Sequence, residues 1–212
     1  MKCPRCGRDE ELYLRRYSGE VLCRVCLKKS ILNKIRRTVG KHDLLERSCS
    51  LAYLKLHRPY DDLALDIFLD MERRFPEVSV DIIDLPDVGM ENISVHLQDL
   101  IDYALSSGYD RVVIPAFLED AVMLFVRYIY TGSPELMFID GVGYVMCRRT
   151  DPPIVSPFIE VMSEELTYLV GADEKLTPMM KFVRELERDT PGALYNMYHS
   201  YHVLLKNSLN LS

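Results

Sequence analysis

The sequence lacks a long apolar run, a leader-like start, an internal repeat and much glycine or proline. Across 212 residues no apolar stretch approaches the roughly 20 residues that span a bilayer, which argues against a membrane protein. The opening MKCPRCGRDEE has no apolar segment of the kind that heads a secretory leader, so a cytoplasmic protein is expected. Glycine and proline number 10 and 11, too few for a collagen-like or low-complexity chain. The absence of a repeat argues against a solenoid. Apolar residues at 48% and charged residues at 27% are ordinary for a globular chain with one large core.

Charge is unevenly spread. Residues 1–47 carry 13 Lys/Arg against 6 Asp/Glu, whereas residues 48–212 carry 13 against 26. A short basic module on an acidic body suits contact with phosphates near the N-terminus and repulsion of them elsewhere.

Four of the six cysteines (Cys3, Cys6, Cys23 and Cys26) form two Cys-x2-Cys knuckles sixteen residues apart. That spacing predicts a closed, structural tetrahedral zinc site, which stabilises a fold and does not catalyse. A pair of disulfides is the competing reading, disfavoured in a cytoplasmic chain. Gly7, after the second ligand, is expected at positive φ. Leu12, Leu14, Val21 and Leu22 around a Ser18-Gly19 turn predict two short strands, hence a zinc ribbon. Cys49 and Cys147 are expected to be buried small hydrophobes.

Residues 28–47 are predicted helical, with Ile31, Leu32, Ile35 and Val39 on one face and Gly40 ending or kinking the helix. Lys28, Lys29, Lys34, Arg36, Arg37 and Lys41 cover much of the remainder. They are either a solvated face or candidate RNA phosphate contacts.

From residue 48 the pattern alternates. Strands are predicted at 49–56, 78–84 and 111–114, and helices at 61–75, 93–105 and 118–130. Short strands follow within 137–156, then helices from 163, 178 and 194. Tyr195, Tyr198 and Tyr201 are expected in the core or an interface. This predicts an α/β body: a parallel sheet with helices on both faces, preceded by the ribbon. The expected division is ribbon 1–30, basic linker helix 31–47, α/β domain 48–170 and C-terminal helices 171–212. Ligands in such sheets sit at strand carboxyl ends where the order reverses, so loops 57–62, 85–92 and 115–120 are the ones to inspect.

A ribbon, a basic helix and an α/β body in this order resemble the PP-loop tRNA thiolation enzymes of the adenine-nucleotide alpha-hydrolase superfamily. The resemblance implies ATP-driven adenylation of a tRNA base followed by replacement of its oxygen with sulfur. The family's phosphate loop reads Ser-Gly-Gly-Lys-Asp-Ser before Leu-Ala-Leu. Here His57-Arg58-Pro59-Tyr60-Asp61-Asp62 precedes Leu63-Ala64-Leu65, and only Asp61 keeps the motif. Both glycines are gone, and Pro59 offers no N–H to a phosphate. The later acidic motif survives as Leu118-Glu119-Asp120, a possible second acidic site that could hold Mg²⁺ with Asp61 and Asp62. Ser156–Glu165 and Glu187–Gly192 resemble later family segments. The cysteines with which the family holds sulfur or an iron–sulfur cluster have no counterpart in 86–108 or after Cys147.

The resulting expectation is a non-catalytic homologue, with no catalytic residue assigned, that binds tRNA or partners an active paralogue or a second copy of itself. The expected cofactor is structural zinc, with ATP and Mg²⁺ in doubt and no iron–sulfur cluster. The alternatives are an active thiolase with a divergent phosphate loop, using Asp61, Glu119 and Asp120, and a zinc-ribbon adaptor without an RNA role. Loss of zinc is expected to unfold residues 1–30 and leave the body folded.

Overall fold

The structure, a computed structural model, describes residues 1–85, 103, 106–131 and 154–210. The predicted helix 93–105, most of the strands in 137–156, loop 86–92 and Cys147 lie outside the described residues.

The N-terminal module is a hairpin of β1 (Leu12–Arg15) and β2 (Glu20–Cys23), followed at once by helix α1 (Arg24–His42). The turn is where it was expected, with Gly19 at φ 67 and its N–H on Arg15 O at 2.8 Å. Two helix ends differ from expectation. Helix α1 starts four residues early because Cys23 is its N-cap, its sulfur accepting the Cys26 N–H at 3.4 Å. The second knuckle is thus also the first helical turn. The helix also runs through Gly40 and ends at Asp43, which takes the left-handed conformation at φ 50. A short polar side chain tolerates that conformation, so Gly40 is not needed as the stop.

The body contains β3 (Ser48–Lys55), α2 (Asp61–Glu72), β4 (Glu77–Asp84), β5 (Arg111–Val113), α3 (Leu118–Thr131) and β6 (Ile154–Val155). Three helices follow: α4 (Ser163–Val170), α5 (Pro178–Asp189) and α6 (Ala193–Asn210). The described strands of the body form one parallel sheet in the order β4-β3-β5-β6. Strand β3 is central, and its Leu51, Ala52, Tyr53 and Leu54 are fully buried. That accounts for its unbroken apolar run, whereas edge strand β4 alternates as VSVDIID. The chain steps one way from β3 to β4 and the other way from β5 to β6. Right-handed crossovers then put α2 and α3 on opposite faces. Helices α1, α2 and α4 pack on one another, as do α3, α5 and α6.

One hydrophobic cluster joins Leu22, Leu27 and Ile31 of the N-terminal module to Leu51, Phe68 and Leu166 of the body. Tyr198 and Tyr201 are buried, as expected of a core face. Among the described residues no helix is long and apolar enough to cross a membrane.

Glu72, the last residue of α2, is buried, and burial alone lifts its carboxyl from 4.5 to about 7. The folded state therefore keeps this proton to higher pH than the unfolded chain does. Its contribution to stability is present in full below 4.5 and is lost as pH rises through about 7. The melting temperature is expected to fall from about pH 5 to about pH 8, and to fall less in Glu72→Gln. Parallel pH profiles for the two proteins would contradict this.

Candidate functional site

The four knuckle cysteines come together. Their sulfurs lie within 4.8 Å of one another, with Cys6 and Cys23 at 3.5 Å. Cys3, Cys23 and Cys26 are buried and Cys6 is exposed. Gly7 has φ 75, and its N–H bonds Cys3 O at 2.8 Å, which folds the first knuckle back. Four thiolates so disposed suit a zinc ion or an iron–sulfur cluster. Among the described residues this is the single group of three or more potential ligands close enough to share a metal. Cys49 is not part of it; it is buried and its thiol bonds Glu46 O at 3.5 Å.

The second site is the topological switch point, at the carboxyl ends of β3 and β5. Here the residues of the 57–62 loop make a network of their own. The Arg58 guanidinium donates to Asp61 at 2.9 and 3.1 Å, to Asp120 at 3.1 Å and to the Pro115 carbonyl. Its backbone N–H donates to Asp61 at 2.8 Å, and the Phe117 N–H donates to Asp120 at 2.8 Å. The guanidinium also lies 5.0 Å from the Tyr60 ring centre and 5.1 Å from that of Phe117. Asp61 and Asp120 are almost fully buried and Arg58 is 14% exposed. Burial pushes the Asp120 carboxyl up, and Arg58 opposes that shift. Arg58 is held protonated: its loss of solvation is outweighed by Tyr60 and the two carboxylates.

This geometry redistributes the expected acidic site. Asp61 and Asp120 do meet across the strand ends, but over a guanidinium. Glu119 points elsewhere and receives the Ser163 N–H at 2.9 Å and its hydroxyl at 2.8 Å, capping α4 from another element. Burial raises the Glu119 carboxyl to about 7, against the pull of Arg184 and Ser163. Asp62 is largely exposed and pairs with Lys55 at 2.6 Å. His57 sits at φ 60 and bonds Asp84 at 2.7 Å. Holding a residue other than glycine there costs about 1–2 kcal/mol.

The basic helix divides into unlike parts. Lys28, Lys29, Arg37 and Lys41 are exposed and Arg36 is half-buried; Lys41 pairs with Glu160 at 3.2 Å. Lys34 is not on a solvated face. It lies between Tyr17 and Tyr195, 4.7 and 4.8 Å from their ring centres, and donates to both hydroxyls. Burial lowers its ammonium to about 8. Beside it, Arg15 reaches Glu165 with two bonds of 3.0 and 2.8 Å, both side chains buried. This pair ties the hairpin to α4. Sequence reading missed it, because nothing in the local pattern of either residue marks the other.

No family model matches the chain, and no curated protein matches it in sequence. A solved structure does match: the U34-tRNA thiolase NcsA from Methanococcus maripaludis with its [4Fe-4S] cluster. The TM-score is 0.75 at 15% identity, over 97% of this chain and 87% of that one. That finding corrects one expectation. A cluster was excluded because the later cysteines are missing, yet the structural neighbour carries one and this chain brings four thiolates together. Iron–sulfur is therefore not excluded as the occupant. At this level of identity the likeness establishes architecture: the chain has the α/β fold of that solved structure, with a four-cysteine module at its N-terminus.

Proposed function

We propose that this chain is a non-catalytic relative of the tRNA thiolases that binds RNA through its N-terminal module. The observation that carries the reading is Arg58. Its guanidinium occupies the loop where the resemblance would place a nucleotide's phosphates, and it takes up the two carboxylates best placed for Mg²⁺. A phosphate loop works through free backbone N–H groups. Pro59 has none, and that of Arg58 is given to Asp61. The fold match supports the tRNA-thiolation context, and the positive N-terminal module supports RNA as the ligand. The four cysteines hold the metal centre of that module. The thiolase neighbour's cluster makes iron–sulfur a candidate occupant beside zinc, and measured iron, sulfide and zinc decide between them.

The test pairs two titrations of metal-replete protein. Mg-ATP is expected to give no binding heat at millimolar concentration. Bulk tRNA is expected to bind with an affinity that falls steeply with salt. Micromolar ATP binding lost in Asp61→Ala would instead establish an active, divergent enzyme. Absence of tRNA binding at low salt would favour a protein partner, such as an active paralogue or a second copy of this chain.

A further inference from the structure

A cavity of about 290 Å³ opens between the hairpin and α1, lined by Arg5, Arg15, Tyr17, Glu20, Ser30, Asn33, Lys34 and Arg37. Ser30, Asn33, Lys34 and Arg37 fall at i, i+3, i+4 and i+7, which is one face of α1. Arg5 comes from the tip of the first knuckle, between two of the cysteines.

The charges of this cavity are not cancelled within it. Of its four cations, Arg15 is neutralised by Glu165 and Glu20. Arg5 and Arg37 are exposed, and among the described residues no carboxylate reaches Lys34 to within an ion-pair distance. The Lys34 ammonium spends two of its three N–H groups on Tyr17 and Tyr195, and among the described residues the third meets no acceptor. Lys34 is half-buried, and its link to a carboxylate runs through the Tyr17 hydroxyl, which donates to Glu165 at 3.1 Å. Glu20, the one carboxylate of the lining, is occupied by Arg15.

The opposite side of α1 is different. Arg24, Lys28 and Lys29 border a hollow floored by Val25, Leu32, Leu63 and Leu169, which suits an apolar guest and not a phosphate. Only one of the two basic faces of the helix therefore has polar depth.

We propose that the cavity between the hairpin and α1 is a phosphate pocket, in which Arg5, Arg37 and Lys34 grip a backbone phosphate of the bound RNA. This rests on the RNA-binding reading above and narrows it to one face. Asn33 and Ser30 supply neutral polar groups beside the phosphate, and the Tyr17 ring forms part of the wall. The metal centre has a place in this arrangement, since it fixes the knuckle from which Arg5 projects.

The experiment measures bulk tRNA binding by fluorescence anisotropy over a salt series, on the full chain with its metal. Arg5→Ala/Arg37→Ala removes two exposed cations and leaves Lys34 in its tyrosine sandwich. Lys28→Ala/Lys29→Ala removes the same charge from the other face. The pocket variant is expected to lose roughly tenfold in affinity per arginine. Its salt slope should shrink by about 0.7–0.9 for each phosphate that is no longer neutralised. The other variant should lose much less. If wild type binds tRNA and the pocket variant binds equally well, the pocket assignment is overturned and the RNA reading survives. If the two variants lose affinity equally, the effect is net charge alone and the assignment is again overturned. A final arm titrates adenosine monophosphate at matched ionic strength. Saturable binding that needs Arg5 and Arg37, in a protein that does not bind tRNA, would make the occupant a small phosphate compound and overturn both readings.

Discussion

Replacing Arg58 with alanine is expected to lower the unfolding free energy by about 3–5 kcal/mol, the cost of leaving buried charge without its partner. Asp61 and Asp120 are 0% and 2% exposed and share the one guanidinium. Without it, two carboxylates face each other across the strand ends with backbone N–H donors alone. Arg58→Lys should recover part of the loss, because an ammonium supplies charge but cannot span Asp61, Asp120 and the Pro115 carbonyl together. The triple variant Arg58→Ala/Asp61→Asn/Asp120→Asn should be more stable than Arg58→Ala, since amides tolerate burial that carboxylates do not. Urea denaturation measures all three. A loss below about 1 kcal/mol in Arg58→Ala, the range of a surface pair, would mean that the network is solvated. The switch-point reading would then lose its basis.

Metal removal should reach well beyond the knuckles. Structural zinc supplies about 10–16 kcal/mol of apparent folding free energy in zinc-finger peptides. Here Cys3, Cys23 and Cys26 belong to the same buried cluster as Leu51 and Phe68 of the body. Cys23 also caps α1, which packs on α2 and α4. The expected result of chelation is loss of hydrogen-exchange protection in β3 and α2 as well as in the hairpin. The melting temperature should drop by roughly 10 °C or more. This differs from the sequence-based expectation that residues 1–30 melt alone. Full protection in β3 after complete metal loss would restore that expectation. Cys23→Ser should reproduce the effect of chelation.

What could be read in the sequence follows the range of the interactions. The knuckles, the Ser18-Gly19 turn, the buried strand β3 and the alternating edge β4 are local patterns, and each appears where it was expected. The start of α1 was misplaced because Cys-x2-Cys fits a loop or a helical turn equally well. That residues 57–62 hold a proline and no glycine was legible. The guanidinium network they build was not, because Arg58 and Asp120 are 62 residues apart in the chain. Likewise Glu119 and Asp120 are neighbours in sequence yet serve different elements, since successive helical residues point about 100° apart. Lys34 resembled its exposed neighbours, and only the placement of Tyr17 and Tyr195 takes it out of the solvent.

The Arg15–Glu165 tie also sets an order of events as the chain is made. The two partners are 150 residues apart, so at ordinary elongation rates Glu165 follows Arg15 by roughly eight to thirty seconds. Through that interval the hairpin exists without α4 to cover it, and its thiols stand open to oxidants and to stray ions. Early metal capture would protect them. A nascent chain starved of its metal would instead reach the ribosome's last codons with an oxidised N-terminus, and its body would then lack the surface on which α1 closes.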